Sequence, residues 1–234
     1  MCTVTFLPLP NNDFIFTSNR DETPLRKTIP PKTYIEDDVE LMYPKDELAG
    51  GTWIGTSNKK RLVCVLNGGF EKHERNPPYK MSRGVVVKKI LAAKNAIEAI
   101  NNFDFNDIEP FTLIVLNWFS ELELCELVWD GSQKHFSKLK NEPKIWSSSP
   151  LYTKEMKQDR QQWFTNWLEE NQFYNQTAIL NFHQNEHLGT KETSPKMKRR
   201  FVETVSVTSI LKKDDEVDMK YIDFSNDAKK SLKK

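Results

Sequence analysis

The chain has 234 residues, of which 38% are hydrophobic and 29% are charged, so it is long enough to bury one large core or two small ones. Its formal net charge of +1 gives no bulk attraction to nucleic acid or acidic membranes, and no apolar stretch approaches the length of a membrane span. We therefore expect no nucleic-acid partner and no stable membrane insertion, while the oligomeric state stays open.

The cysteines and histidines indicate a reducing compartment and no metal site. Cys2, Cys64 and Cys125 form neither a CxxC pair nor an even disulfide framework, and no signal peptide is recognised. We expect a cytoplasmic protein with reduced thiols. His183 and His187 are spaced four residues apart, but no third ligand accompanies them, so a solvated helix end is predicted there.

The first third of the chain is predicted to form hairpins. Residues 2–7 and 13–18 are rich in β-forming residues and are separated by prolines and asparagines, which indicates two paired strands joined by a turn. Residues 23–38 are interpreted as a charged, proline-bearing connection. Three further strands are predicted, each bounded by turn-forming residues: 40–43, 52–55 and 61–66.

The remainder of the chain mixes helices and strands. Apolar residues at steps of three and four after Ser82 predict one amphipathic helix reaching Ile100. The segments that follow are two strands, two helices and two strands, at 110–118, 121–131, 151–170, 177–184, 199–213 and 217–224. We predict an α+β fold with one domain over residues 1–225 and a basic, flexible tail at 226–234.

The chain begins with methionine followed by cysteine, a pattern that suits nucleophilic catalysis. The initiator methionine is commonly removed when the next residue is small, which would leave Cys2 with a free α-amine. That amine has a pKa of about 7.7–8.0 and can take the proton of the thiol directly or through a water. A hairpin of residues 2–7 and 13–18 would place Arg20 and Asp21 near Cys2, where they would favour the thiolate and hold the ammonium.

A plainer interpretation of the same residues also stands. A cysteine at position 2 occurs by chance, and an Arg-Asp pair after a strand is commonly a surface ion pair that stabilises little. These residues alone favour that plainer interpretation.

Five motifs in one order carry a resemblance to a known family. They are Met1-Cys2, NRDE at 19–22, AGGTWIG at 49–55, VLNGG at 65–69 and MSRG at 81–84. Together they resemble the NRDE family, strongly over the first 90 residues or so and more weakly afterwards. The resemblance implies an Ntn-hydrolase-like αββα sandwich, two antiparallel sheets flanked by helices, similar to bile-salt hydrolases and penicillin V acylases.

The resemblance also implies roles for particular residues. Cys2 would be the nucleophile, Arg20 and Asp21 would position its amine and thiol, and Asn67 would lie near the oxyanion. The residues implied as ligand-binding are Asn19, Gly51, Trp53, Ser82, Arg83 and Ser148. For several of these a structural role competes: a hairpin turn at Gly51, a core aromatic at Trp53 and a helix cap at Ser82.

Two departures from the family pattern bear on activity. Ser148 stands where the pattern has an amide-bearing residue, and Val205 stands where it has an arginine. A serine still donates a hydrogen bond, but valine removes a charge from the expected hydrolase site.

Two functions are therefore predicted. The first is a cysteine amidohydrolase or acyltransferase that acts on a small acylated amide and needs no cofactor. The alternative, which the family resemblance also implies, is a non-catalytic carrier of haem or of an acyl-CoA or lipid-like ligand. The two departures favour the carrier.

Overall fold

The computed structural model describes residues 3–224. The chain divides into two compact units. The first unit comprises Met1–Arg26, Glu142–Ser147 and Leu151–Lys234, and the second comprises Lys27–Asn141 and Ser148–Pro150. The single domain over residues 1–225 stays a prediction, and the tail at 226–234 lies outside the described residues.

The regular elements alternate between strands and helices along the chain. The strands are β1 (Thr3–Pro8), β2 (Phe14–Glu22), β3 (Thr28–Glu36), β4 (Val39–Asp46), β5 (Ile54–Ser57), β6 (Arg61–Asn67), β7 (Phe111–Asn117), β8 (Glu123–Trp129), β9 (Lys134–Leu139), β10 (Lys144–Ser147), β11 (Glu203–Lys213) and β12 (Glu216–Asp223). The helices are α1 (Arg83–Ala92), α2 (Ala96–Asn102), α3 (Lys154–Glu170) and α4 (Gln176–His183).

The first unit contains an antiparallel sheet of five strands in the order β10-β1-β2-β11-β12. The predicted hairpin of β1 and β2 is confirmed, with a ladder that runs from Thr3 opposite Asn19 to Pro8 opposite Phe14. Strand β1 also pairs with β10, and β2 with β11, so the hairpin lies inside the sheet. Both of its strands are therefore held on two sides.

One face of this sheet packs against helices α3 and α4. Leu7, Ile15 and Ile145 point from the strands into a cluster that includes Phe164 from α3, and Ile179 and Phe182 from α4 complete it. Trp163 and Trp167 of α3 lie partly buried against the same cluster. Burial of this aliphatic and aromatic surface fixes the two helices on the sheet.

The second unit contains an antiparallel sheet of seven strands, β3 to β9, which follow one another in sequence order. Helix α1 packs on β4, β5 and β6 and contacts α2. Two antiparallel sheets and four helices in the described part of the chain confirm the predicted α+β class.

Two predicted elements need correction. Residues 23–38 were expected to form a connection, but β3 occupies most of the segment as an edge strand, where prolines are tolerated. A register shift between Ile29 and Lys32 accommodates Pro30 and Pro31. The expected single helix is two helices, because Asn95 caps α2 by accepting hydrogen bonds from the backbone N–H groups of its first turn.

None of the helices within residues 3–224 is long and apolar enough to cross a membrane.

The Gly-Gly pair at 50–51 is explained by two different constraints. Gly50 has a φ of +67°, a backbone conformation that side chains other than Asn and Asp rarely adopt. A Cβ on Gly51 would lie 2.6 Å from the carbonyl carbon of Gly84, and the N–H of Thr52 donates to the oxygen of Gly84 at 3.2 Å. The AGG and SRG motifs therefore meet backbone to backbone.

We predict that Gly51→Ala lowers the free energy of unfolding by about 1–3 kcal/mol, since the added methyl group would force the two backbones apart. Gly50→Asn is the matched control. No atom lies within 4 Å of the position of its added Cβ, and Asn tolerates positive φ, so it should lose less than about 1 kcal/mol. Urea unfolding measures both, and equal losses would contradict the close backbone approach.

Candidate active site

The NRDE motif lies inside strand β2, although the predicted strand stopped at Ser18. Asn19 pairs with Thr3 of β1 and with Val207 of β11, and β2 continues to Glu22. Successive residues of a strand point to opposite faces of the sheet. Asn19 and Asp21 therefore share the face that packs on the helices, and Arg20 points to the other face.

Asn19 is fully buried and bonded at every polar atom of its side chain. Its Nδ2 donates to the backbone oxygens of His183 at 3.0 Å and Pro195 at 2.7 Å, and its Oδ1 meets Nδ1 of His183. The carboxamide thus ties β2 to the end of α4 and to the segment before β11. In this geometry Asn19 has a structural role.

His183 is not at a solvated helix end, as its spacing from His187 had suggested, but is fully buried. Burial lowers the pKa of its imidazole to about 3, and the nearby Arg160 cation adds to this shift. The neutral ring has one donor and one acceptor. Because both N–H groups of Asn19 point to carbonyl oxygens, Nδ1 of His183 donates to Asn19 Oδ1, and Nε2 accepts from the Thr5 hydroxyl at 2.8 Å.

Asp21 is buried, and both oxygens of its carboxylate are oriented by hydroxyl donors. The phenol of Tyr152 donates to Oδ2 at 2.7 Å, and Oγ1 of Thr204 donates to Oδ1 at 2.6 Å. Thr204 also accepts from the backbone N–H of Met197 at 3.0 Å, which fixes its hydroxyl. The carboxylate is therefore held in one orientation. Asp21 lies two residues beyond Asn19, the residue of β2 that pairs with Thr3.

Arg160 of α3 is a buried cation beside the first described residue of β1. Its guanidinium donates to the hydroxyl of Thr3 and to the backbone oxygens of Thr193 at 2.8 Å and Ser194 at 2.7 Å. Its central carbon lies 3.8 Å from the centre of the Tyr152 ring. Carbonyl dipoles and a π face thus compensate the charge, and no carboxylate within residues 3–224 pairs with it.

Arg20 is buried on the opposite face, where Nη1 donates to the backbone oxygen of Arg26 at 3.1 Å. It pairs across the ladder with Ser206 of β11. A bulge between Thr204 and Ser206 leaves Val205 as the extra residue, and its aliphatic side chain is buried. Cys2, the predicted nucleophile, lies outside the described residues.

In the second unit, the structure brings together the chain segments around two predicted site residues, Asn67 and Ser148. Asn67 ends β6, and the turn that follows it contacts Ser149 and Pro150. Oγ of Ser149 donates to the backbone oxygen of Gly69 at 2.5 Å, and Pro150 lies where a Cβ of Gly68 would be. The hydroxyl of Ser148 is buried and has no hydrogen-bond partner within residues 3–224.

The other predicted ligand-binding residues of the second unit occupy structural positions. Trp53 is buried, and its backbone oxygen accepts from the N–H of Val65. Ser82 is the N-cap residue of α1, but its side chain makes no capping hydrogen bond. The guanidinium of Arg83 donates to the backbone oxygen of Pro110 at 3.2 Å and pairs with the Glu109 carboxylate at 3.2 Å, so its charge is compensated within the protein.

No group of three or more His, Cys, Asp or Glu side chains in the described ranges is arranged to hold a metal ion.

Comparison with known proteins places the chain in a family. The sequence matches the profile of the Transport and Golgi organisation 2 family over residues 1–231. The chain belongs to this family. The resemblance that the NRDE motif carries is thereby confirmed. No protein of the curated set matches the sequence significantly.

Two solved structures are similar to this member of the family. One is the N-acylethanolamine-hydrolyzing acid amidase ortholog of Caenorhabditis elegans, with a TM-score of 0.62 and 13% identity over 90% of this chain and 92% of that chain. The other is penicillin V acylase from Agrobacterium tumefaciens, with a TM-score of 0.53 and 10% identity over 96% of this chain and 86% of that chain. They confirm the Ntn-hydrolase-like fold.

Sequence reasoning missed Tyr152, Arg160 and Thr204, and it misplaced His183. One signal for Arg160 was available, because this residue falls between Met156 and Trp163 on the apolar stripe of α3, where a cation is out of place. The partners of Asp21 had no such signal, since they are 131 and 183 residues away in the chain.

We predict that His183 makes the protein less stable as the pH falls. Its folded pKa of about 3 lies below the unfolded value of about 6.5, so the stabilisation is complete above pH 6.5 and is lost as the pH falls from there towards 3. Between pH 7.5 and 5.5 this residue alone should cost about 1.4 kcal/mol. Urea unfolding of the wild type and His183→Gln measures the difference.

The titration can also be followed directly in the folded protein. The ¹⁵N chemical shifts of the His183 ring should report the neutral Nδ1–H tautomer at pH 5.5. A protonated ring at that pH, or equal pH slopes for the two proteins, would contradict the buried neutral imidazole.

Proposed function

We propose that the protein is an Ntn-type cysteine amidohydrolase or acyltransferase that acts on a small acylated amide. The observation that carries the proposal is the orientation of Asp21, a buried carboxylate fixed by two hydroxyl donors near the strand position that pairs with Thr3. A carboxylate so placed suits the binding of an α-ammonium group at the start of β1.

The nucleophile in this proposal is Cys2, exposed by removal of Met1. In this proposal the Arg20 guanidinium near the thiol favours the thiolate, and the Asp21 carboxylate receives the α-ammonium. Within the NRDE motif, Arg20 thus acts on the thiol and Asp21 binds the amine.

The reaction follows from these assignments. The α-amine of Cys2 takes the thiol proton, and the thiolate attacks the carbonyl carbon of the amide. The tetrahedral oxyanion collapses, the C–N bond breaks, and the leaving amine takes the proton from the ammonium. Water then attacks the thioester and releases the acid, or an acceptor amine takes the acyl group.

In the second unit, the family resemblance implies that Asn67 lies near the oxyanion, and Ser148 stands where the family pattern has an amide-bearing residue. Asn67 ends strand β6 and is partly buried, and the buried hydroxyl of Ser148 has no hydrogen-bond partner within residues 3–224. Both side chains carry a donor for a developing negative oxygen. Ser148 can thus replace an amide donor with a hydroxyl donor.

We predict that the purified protein lacks Met1 and that iodoacetamide alkylates Cys2 at pH 7 at least ~10-fold faster than the other cysteines, since only a thiolate reacts. Cys64 and Cys125 are internal references because both are buried. Burial, followed by the nearby Glu123 carboxylate, raises the pKa of the Cys125 thiol to about 11. Mass spectrometry after timed labelling gives the rates.

Cys2→Ala is the control, because a small residue at position 2 preserves methionine removal. The wild type should release p-nitroaniline from an acyl p-nitroanilide and carry the acyl group on Cys2, and the variant should do neither. An intact Met1, or alkylation of Cys2 no faster than that of the buried cysteines, would end the hydrolase proposal.

A second candidate function is carriage of haem, acyl-CoA or a lipid-like ligand on the same fold. The observation that favours it is Val205, an aliphatic and buried residue where the family resemblance expects an arginine. As a carrier, the protein should bind haem saturably at micromolar concentration with a shifted Soret band, and Cys2→Ala should still bind it. A spectrum that does not change at these concentrations would remove the haem version of this candidate.

A further inference from the structure

We propose that Tyr152 and Thr204 are positioning residues that hold Asp21 in the orientation with which it binds the α-amine of Cys2. This inference rests on the proposed function and deepens it. It assigns a role in the reaction to Tyr152, which precedes α3, and to Thr204 of strand β11. The sequence motifs include neither residue.

The contacts to Asp21 come from two directions. Tyr152 precedes α3 and donates to Oδ2, and Thr204 lies on β11 opposite Asp21 and donates to Oδ1. A carboxylate with one donor on each oxygen cannot rotate about its terminal bond without breaking a hydrogen bond. The orientation of the carboxylate is therefore fixed.

Tyr152 is itself fixed by cations. The guanidinium of Arg160 lies 3.8 Å from the centre of its ring and that of Arg199 lies 5.3 Å from it. Arg199 also donates to the backbone oxygen of Leu151, the residue before Tyr152. Contact with two guanidinium groups restricts the movement of the ring.

The same arginine reaches β1. Arg160 donates to the hydroxyl of Thr3, so Thr3, Arg160, Tyr152 and Asp21 form a connected chain of contacts. Thr3 is the residue that follows the proposed nucleophile. The chain of contacts therefore fixes the start of β1 and the Asp21 carboxylate relative to each other, as a preorganised binding group requires.

Arg160 and Arg199 flank Tyr152, and His183, which contacts Thr5 and Asn19 on the same face, is a neutral imidazole because burial lowers its pKa. A variant that removes only a hydroxyl therefore removes a hydrogen bond to Asp21 without changing the net charge of the region.

The test uses the pH dependence of Cys2 alkylation by iodoacetamide, measured on the full chain. Tyr152→Phe and Thr204→Val each remove one donor from Asp21. The α-ammonium would then be held less closely to the sulfur and would favour the thiolate less. We expect the midpoint of the alkylation profile to rise and the rate at pH 7 to fall about three- to tenfold.

Two matched variants separate positioning from stability. Thr204→Ser keeps the hydroxyl and should restore the wild-type midpoint. Tyr174→Phe removes a hydroxyl from a ring that stacks on Trp167, against the apolar cluster that α3 and α4 form with the sheet. It should leave the midpoint unchanged. The melting temperature of each variant is measured alongside, since a merely structural role would lower it without moving the midpoint.

The outcomes distinguish this inference from the function on which it rests. Wild-type protein that retains Met1, or whose Cys2 reacts no faster than the buried cysteines, refutes the proposed function. If Cys2 of the wild type is reactive but Thr204→Val leaves the midpoint of the alkylation profile unchanged, only the positioning role is refuted. Should Tyr152→Phe fail to fold, the Thr204→Val and Thr204→Ser pair still decides the question.

Discussion

The register of the β1–β2 ladder is the constraint on which the first unit depends. Thr3 lies opposite Asn19, and the alternation of side chains then assigns every later residue of the motif to a face. A slip by one residue would send Arg20 to the helices and Asp21 to the opposite face. Because β1 and β2 are each paired on both sides, such a slip would have to break ladders with β10 and β11 as well.

The polar groups on the face of the sheet that packs against α3 and α4 are stabilised by hydrogen bonds more than by ion pairs. Asn19, His183 and Thr5 satisfy one another, and the Arg160 cation is surrounded by carbonyl oxygens, a hydroxyl and an aromatic ring. A buried polar group without a hydrogen-bond partner destabilises the folded state, so removal of one member of the network destabilises the protein by leaving the other members unpaired. The network therefore specifies one arrangement of α3 and α4 on the sheet.

The sequence predicts elements whose signals are local, and fails where contacts are distant. The hairpin, most other strands and both helices of the first unit were recognisable from their periodicity. Strand β3 was not, because its two prolines are compatible with a strand only at an edge, and edge position is a tertiary property. The NRDE residues were recognisable as a motif, whereas their partners on α3 and β11 became visible only in the folded chain.

The bulge in β11 has a consequence for how relatives should be compared. Val205 is an extra residue between two registers, so a protein that lacks it would still place a side chain opposite Asp21 and another opposite Arg20. An alignment through this strand should therefore place its gap at the bulge and match residues by the direction in which they point. Counting positions from either end would assign an arginine of one homologue to the wrong side of the sheet in another.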